Sequence, residues 1–276
     1  MRTFHHTDFP VERRGSASVC VPARDEGGTI GRIVETLVDL RRRAVIDEVV
    51  VIDAASTDGT ARIAAELGAD VYDQSDLLPE MGPVLGKGDA MWRSLSVVTG
   101  DVVCFVDADS EDFGPHFVSG LIGPILCEPG VEYVKGFYRR PFKSAGVTEP
   151  DGGGRVTELT AKPLLSLFYP DLAAVRQPLA GEFAARRSLL ERLPWATGYG
   201  VEIAQLIDAY REVGLDALAQ VDLDVRQNRH QRLSALGPMA SAVAAAVAAR
   251  LAREGRLEAA PAVSERPPLA SLRARA

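Results

Sequence analysis

Residues 101–109 read DVVCFVDAD: an unbroken apolar run, Val102 to Val106, followed at once by two aspartates, Asp107 and Asp109, one residue apart. A short β-branched and aromatic run bounded by polar groups is the pattern of a buried strand. The same pattern occurs twice more towards the N-terminus. Ser18–Pro22 (SVCVP) precedes the turn ARDEGG, after which Ile30, Ile33, Val34, Leu37 and Leu40 recur at helical spacing within Thr29–Arg41. Asp47–Asp53 (DEVVVID) precedes AASTDG and a helix predicted over Thr60–Leu67. A short strand at Val71–Tyr72 and a helix over Lys87–Val97 complete this half. Strands alternating with helices predict an α/β fold with a mainly parallel sheet covered on both faces. Ligands of such sheets sit beyond the carboxyl ends of the strands, where all three runs end in polar or acidic residues.

Past residue 130, the strand-like EYVKGFYRRP leads into a glycine-rich loop. Helices are predicted over Thr157–Leu167 and Val201–Val213, a strand over Leu218–Val225 and a closing helix over Leu233–Arg253. The organisation expected is a flexible head (1–16), a first half (17–130), a second half of the same domain (131–255) and a flexible Pro-, Arg- and Ala-rich tail (256–276). A length of 276 residues suits one such domain.

Hydrophobic residues make up 46% and charged residues 25%, so a packed core is feasible. A net charge of −7 and a pI near 5.3 argue against nucleic acid as a partner, because phosphate-backbone binding needs a basic face. Cys20, Cys104 and Cys127 have no CxxC spacing and read as buried thiols of a reducing cytosol. The head lacks the apolar core of a secretory signal, and Met239–Leu251 is short and mostly alanine. No membrane partner and a cytoplasmic location are therefore expected.

Asp107 and Asp109 are two carboxylates beyond a strand end, able to converge on one hard cation if the chain leaves extended geometry there; an Asp-rich turn is the alternative. Gly86-Lys87-Gly88 opens a helix, where a point charge and a helix N-terminus favour phosphate; a plain surface lysine is the alternative. The Walker A spacing is absent.

In this order, VPARDE (21–26), VIDAASTDGT (51–60) and FVDAD (105–109) resemble the nucleotide-sugar-binding half of family-2-like GT-A glycosyltransferases. The resemblance implies the GT-A fold, a Rossmann-like nucleotide-diphospho-sugar transferase fold with a mixed, mainly parallel sheet and a C-terminal helical extension. It implies a donor site of Pro22, Ala23, Arg24, Glu26, Asp53, Ala54, Lys87, Asp107 and Ala108, with Pro22, Ala23 and Glu26 near the uridine and Asp53 near the base. Asp107 and Asp109 would bridge the diphosphate through Mg²⁺ or Mn²⁺.

Adding VKGFYRRP (134–141), GGGRVTEL (152–159), QPLAGEF (177–183) and GYGVEI (198–203), the chain resembles the glucosyl-3-phosphoglycerate synthases (glycosyltransferase family 81). That resemblance implies a homodimeric enzyme moving glucose from UDP-glucose to the 2-hydroxyl of 3-phosphoglycerate, with retention of configuration. Asp109, Lys87 and Glu202 are the implied catalytic residues, and Gly154, Arg155, Thr157, Asn228 and His230 the implied acceptor residues. Backbone N–H groups of Gly152–Gly154, the Arg155 fork and the Thr157 hydroxyl suit a small anionic acceptor. Glu202 reads equally as a carboxylate near the reacting hydroxyls or as a structural partner of Arg139 or Arg140.

One segment departs from the pattern. In RQNRHQ (226–231), Asn228 stands where the resembled family has a metal-binding histidine, and His230 follows two residues later. Either His230 reaches the cation by a register shift, or Asn228 ligates through its amide oxygen, or water fills the position; His230 is the expected ligand. His5 and His6, in the head, and His116 are not placed for this chemistry. Three rivals remain: a transferase of the same fold with another acceptor or nucleotide sugar, a nucleotidyltransferase, which would carry a GxGTR-type loop that VPARDEGG lacks, and a non-catalytic binding protein.

Overall fold

The central strands are mainly apolar on both alternating sets of positions, so both sheet faces require cover. The computed structural model describes residues 1–10, 15–144, 147–149, 153–227, 232–258 and 263–273. In chain order the elements are β1 (Arg2–His5), β2 (Ala17–Ala23), α1 (Ile30–Arg42), β3 (Glu48–Asp53), α2 (Thr60–Glu66), β4 (Asp70–Asp73), α3 (Lys87–Ser94) and β5 (Val102–Phe105). There follow α4 (Pro115–Cys127), β6 (Tyr133–Arg139), β7 (Phe142–Ser144), β8 (Val147–Glu149), α5 (Lys162–Phe168), β9 (Phe183–Arg186), α6 (Arg187–Arg192) and β10 (Trp195–Ala196). The last are α7 (Val201–Val213), β11 (Leu218–Val225), α8 (Leu233–Arg253), β12 (Glu265–Arg266) and α9 (Leu269–Arg273).

Eight strands form one sheet in the order β1-β11-β6-β9-β5-β2-β3-β4. All neighbours run parallel except β9, which is antiparallel to both β5 and β6. Alternation sends Cys20, Val50, Ile52 and Phe105 to one face, under Trp92, Trp195 and Ile203. Val19, Val21, Val49 and Val51 go to the other, under Ile30, Ile33 and Leu37 of α1 and Phe117 of α4. Cys20 and Cys104 are buried free thiols, and burial pushes Cys20 up to about 12.

The structure adds elements that the sequence pattern does not signal. The head expected to be flexible supplies the edge strand β1, paired with β11 from Arg2↔Ala219 to His5↔Asp222. A four-residue edge strand reading RTFH carries no periodic apolar signal. The tail supplies β12, antiparallel to β10, and α9; its composition hides a buried arginine, Arg266. The helix expected over 157–167 opens as a π-helical turn, Thr157–Ala161, before α5. In α8, Ser234–Arg253 is long and apolar enough by composition to cross a membrane, because alanine counts towards hydropathy. Its Val243, Ala246, Val247, Arg250 and Leu251 are nevertheless buried at helical spacing, with Arg250 paired to Asp208 of α7 at 2.6 Å.

Candidate active site

Because β5, β2 and β3 are neighbours, the loops beyond their carboxyl ends meet, and side chains lace them together. Asp25 Oδ1 accepts from the Thr57 N–H at 2.8 Å, and the Glu26 and Gly27 N–H groups donate to Thr60 Oγ1 at 2.9 Å and Asp58 Oδ2 at 2.7 Å. Thr29 Oγ1 donates to the Ala108 carbonyl at 2.6 Å, fixing the loop that carries the aspartate pair. Asp25, at φ +53°, and Asp58 are thus loop fasteners.

Over these loops lies a cavity of about 760 Å³, within the size range of small-molecule sites. Its lining includes Pro22, Ala23, Arg24, Glu26, Ala54, Lys87, Asp107, Ala108, Asp109, Gly154, Arg155, Thr157 and Glu202, so the structure brings these expected site residues together. Asp53 lies beneath, buried: its Oδ2 accepts from the Ser56 N–H at 3.0 Å, while its buried Oδ1 has no hydrogen-bond partner among the described residues. Asn228 and His230 lie outside the described residues.

In the cavity lining, Lys87 Nζ lies 2.7 Å from Asp107 Oδ1 and 2.9 Å from Glu202 Oε1. The partner of Glu202 is therefore Lys87, not Arg139 or Arg140. Burial alone would push Lys87 down, but the two carboxylates outweigh it and hold its pKa well above the ordinary value. Burial also opposes ionisation of Asp107, and Lys87 and Arg226 outweigh it, keeping the carboxyl below its usual range. The flanking glycines have packing reasons. Gly86 sits at φ +124°, and a Cβ on Gly88 would lie 1.9 Å from the Ala196 carbonyl oxygen.

Sequence reasoning left Arg226, Glu182 and Lys135 without a role. Arg226, at the end of β11, is 2% exposed and lies 3.1 Å from Asp107 Oδ2, 2.5 Å from Asp109 Oδ1 and 3.0 Å from Glu182 Oε1. It also donates to the Tyr138 hydroxyl at 2.7 Å. Burial disfavours its charge, and Glu182, Tyr138 and the two aspartates more than restore it. Glu182 belongs to QPLAGEF, whose Gly181 is equally constrained: a Cβ there would lie 2.1 Å from Asp107 Oδ1. Lys135 is buried on β6 with Nζ 5.0 Å from the Phe183 ring centre and no hydrogen-bond partner among the described residues. Nothing in an apolar-flanked VKGF string signals that position.

The donor set fits a hard divalent cation. Asp107 and Asp109 point their oxygens at one shared positive centre, the Arg226 guanidinium, which shows that the two carboxylates converge. Gly181 leaves the space that the Asp107 carboxylate occupies.

Comparison with known proteins agrees with this architecture. The profile of Glycosyl transferase family 2 matches residues 18–164. The glucosyl-3-phosphoglycerate synthase of Mycolicibacterium smegmatis is 47% identical over 244 residues, covering 88% of this chain and 80% of the relative. The crystal structure of mannosyl-3-phosphoglycerate synthase from Rubrobacter xylanophilus superposes with a TM-score of 0.92 at 44% identity, covering 98% of this chain and 97% of the other. The glucosyl-3-phosphoglycerate synthase of Mycobacterium tuberculosis, crystallised with Mn²⁺, UDP-glucose and phosphoglyceric acid, gives a TM-score of 0.82 at 42% identity over 94% and 91% of the two chains. The chain therefore has the GT-A fold, matches the glycosyl transferase family 2 profile and belongs to the glucosyl-3-phosphoglycerate synthase family.

Proposed function

We propose that the protein transfers glucose from UDP-glucose to the 2-hydroxyl of 3-phosphoglycerate, releasing UDP with retention of configuration. The observation that carries this reading is a single cavity joining the Asp107–Asp109 pair and Lys87 to Gly154, Arg155 and Thr157. The donor diphosphate is assigned to the first group and the acceptor's phosphate and carboxylate to the second. Asp53 Oδ1, a buried acceptor, is assigned an N–H of the base.

Asp107 and Asp109, joined in the reading by His230 or Asn228, would hold Mg²⁺ or Mn²⁺, which when bound offsets the charge growing on the departing diphosphate. Lys87, released from Asp107, adds an ammonium at the leaving phosphate. Glu202 keeps that ammonium aimed into the cavity. The Gly154 loop, the Arg155 fork and the Thr157 hydroxyl hold the acceptor so that its 2-hydroxyl meets the anomeric carbon on the face the diphosphate leaves. The bond from that carbon to the diphosphate oxygen breaks, the bond to the acceptor oxygen forms, and the hydroxyl proton passes to the leaving phosphate. A cytoplasmic location and a homodimer belong to the same reading.

One observation favours a second donor. The TM-score of 0.92 is to a mannosyl enzyme, and guanine, like uracil, offers an N–H to Asp53. The test incubates purified protein and Mg²⁺ with UDP-glucose or GDP-mannose, each with 3-phosphoglycerate. Nucleoside diphosphate release and the anomeric signal of the product are followed. Glucosyl transfer with the donor's own anomeric configuration is expected. Transfer from GDP-mannose alone selects the second reading, and no transfer to 3-phosphoglycerate from either donor overturns both. Asp109→Ala should lower kcat by about a hundredfold or more, the scale of losing a group that stabilises developing charge.

A further inference from the structure

Outside the cavity lining, the head of the chain brings two imidazoles to one carboxylate. His5 ends β1, His6 follows it, and Asp224 lies in β11 beyond the register position of His5. His6 Nε2 lies 2.6 Å from Asp224 Oδ2, and His5 Nε2 lies 3.4 Å from Asp224 Oδ1. Each oxygen of the carboxylate thus faces a different ring nitrogen, and one donor atom from each of the three residues falls within 4.8 Å of the others.

The group is built from both sides. Asp224 holds a left-handed backbone, φ +67°, and its N–H donates to Asp222 Oδ1 at 2.9 Å. His5 Nδ1 accepts from the Thr7 N–H at 3.3 Å and lies 2.8 Å from Thr7 Oγ1, which orients the ring and leaves Nε2 towards Asp224. The ring of His116 packs on that of His6 at 4.7 Å between centres; burial, then the neighbouring His6, pushes its pKa down, so a neutral imidazole adjoins the cluster.

We propose that His5, His6 and Asp224 form a transition-metal site of Zn²⁺ type that ties β1 to the end of β11. Two imidazole nitrogens with one carboxylate suit Zn²⁺, Ni²⁺ or Cu²⁺, whereas Mg²⁺ and Mn²⁺ favour oxygen ligands. With metal–ligand distances of about 2.1 Å a tetrahedral edge is about 3.4 Å, so the His5–Asp224 pair already has the required spacing and the His6–Asp224 hydrogen bond opens slightly. Asp224 stands two residues before Arg226, so an ion here braces the strand end from which Arg226 reaches Asp107 and Asp109. The alternative is that Asp224 fastens the edge strand by hydrogen bonds alone.

The test uses the full, untagged, metal-stripped chain in excess Mg²⁺ and UDP, titrated with Zn²⁺ against a chromophoric chelator. One Zn²⁺ per chain is expected, with a thermal midpoint that rises on binding. Asp224→Asn keeps an acceptor for His6 and a residue type tolerant of the left-handed backbone, so it should fold while weakening Zn²⁺ by at least about tenfold. His6→Gln should do the same, with far-ultraviolet circular dichroism to check folding; if it unfolds, Asp224→Asn decides alone. Absence of Zn²⁺ binding, or binding unchanged in Asp224→Asn, overturns the proposal and leaves the hydrogen-bonded fastener.

Discussion

At the scale of single residues, the site is held by charges that the interior would not tolerate alone. Arg226 is the clearest: its guanidinium faces Asp107, Asp109 and Glu182 while almost wholly buried. Lys135 is the opposite case, a buried ammonium lacking a hydrogen-bond partner among the described residues. Burial pushes it from 10.5 down to about 8, against the pull of Glu202 and Glu182. Between those values the unfolded chain carries a proton that the folded chain has released, so this residue makes stability rise as pH increases through the window. Lys135→Met removes that slope. Urea unfolding of both proteins should show a stability advantage of Lys135→Met that shrinks by on the order of 2 kcal/mol from about pH 7 to about pH 10. Parallel profiles would refute a perturbed Lys135. Neither residue's role was legible in the sequence, since Arg226 opens a basic string and Lys135 sits in an apolar one. That Asp107, Asp109, Lys87 and Glu202 line one cavity was legible, because each follows or opens a recognisable strand or helix.

At the scale of elements, β12 acts as a strap over the start of α3. Arg266 donates to Asp89 Oδ1 at 2.8 Å and Oδ2 at 2.9 Å, and to the Pro83 carbonyl at 3.1 Å. Asp89 in turn accepts from the Leu85 N–H at 2.8 Å, and Arg93 Nη2 donates to the Gly82 carbonyl at 2.6 Å, so one ionic cluster fixes the turn that presents Lys87. Arg266→Ala leaves Asp89, fully buried, with Arg93 at 3.3 Å as its remaining cation; a loss of about 2–3 kcal/mol, below that of a buried charge left wholly unpaired, is expected in chemical unfolding. The Michaelis constant for the sugar nucleotide should rise more than that for the acceptor, because the proposed mechanism assigns Lys87 to the donor diphosphate. A variant with native stability and unchanged donor KM would show that the strap has no bearing on the site. Composition hid this element, since Pro, Arg and Ala around residue 266 read as a loose tail while the partner lies in another part of the sequence. By contrast α7, β11 and α8 begin and end where their apolar spacing placed them.

At the scale of the whole molecule, the alternating half of the sheet was readable because each parallel strand and its helix are contiguous in the chain. What could not be read is what comes from far away: β1 beside β11, β9 inserted antiparallel between β5 and β6, and β12 over α3. Periodicity reports a residue's own element and is silent about a partner two hundred positions on. The Asp89–Arg266 pair spans 177 residues, and that span sets an order in time. Contacts between distant segments form late, after the local strand–helix units have collapsed. On refolding from urea, far-ultraviolet ellipticity should therefore return ahead of sugar-nucleotide turnover; simultaneous recovery would argue against it. An undocked strap would leave the Asp89 carboxylate without Arg266, so a copy stalled at that stage differs from the finished fold by an undercompensated charge at the start of α3.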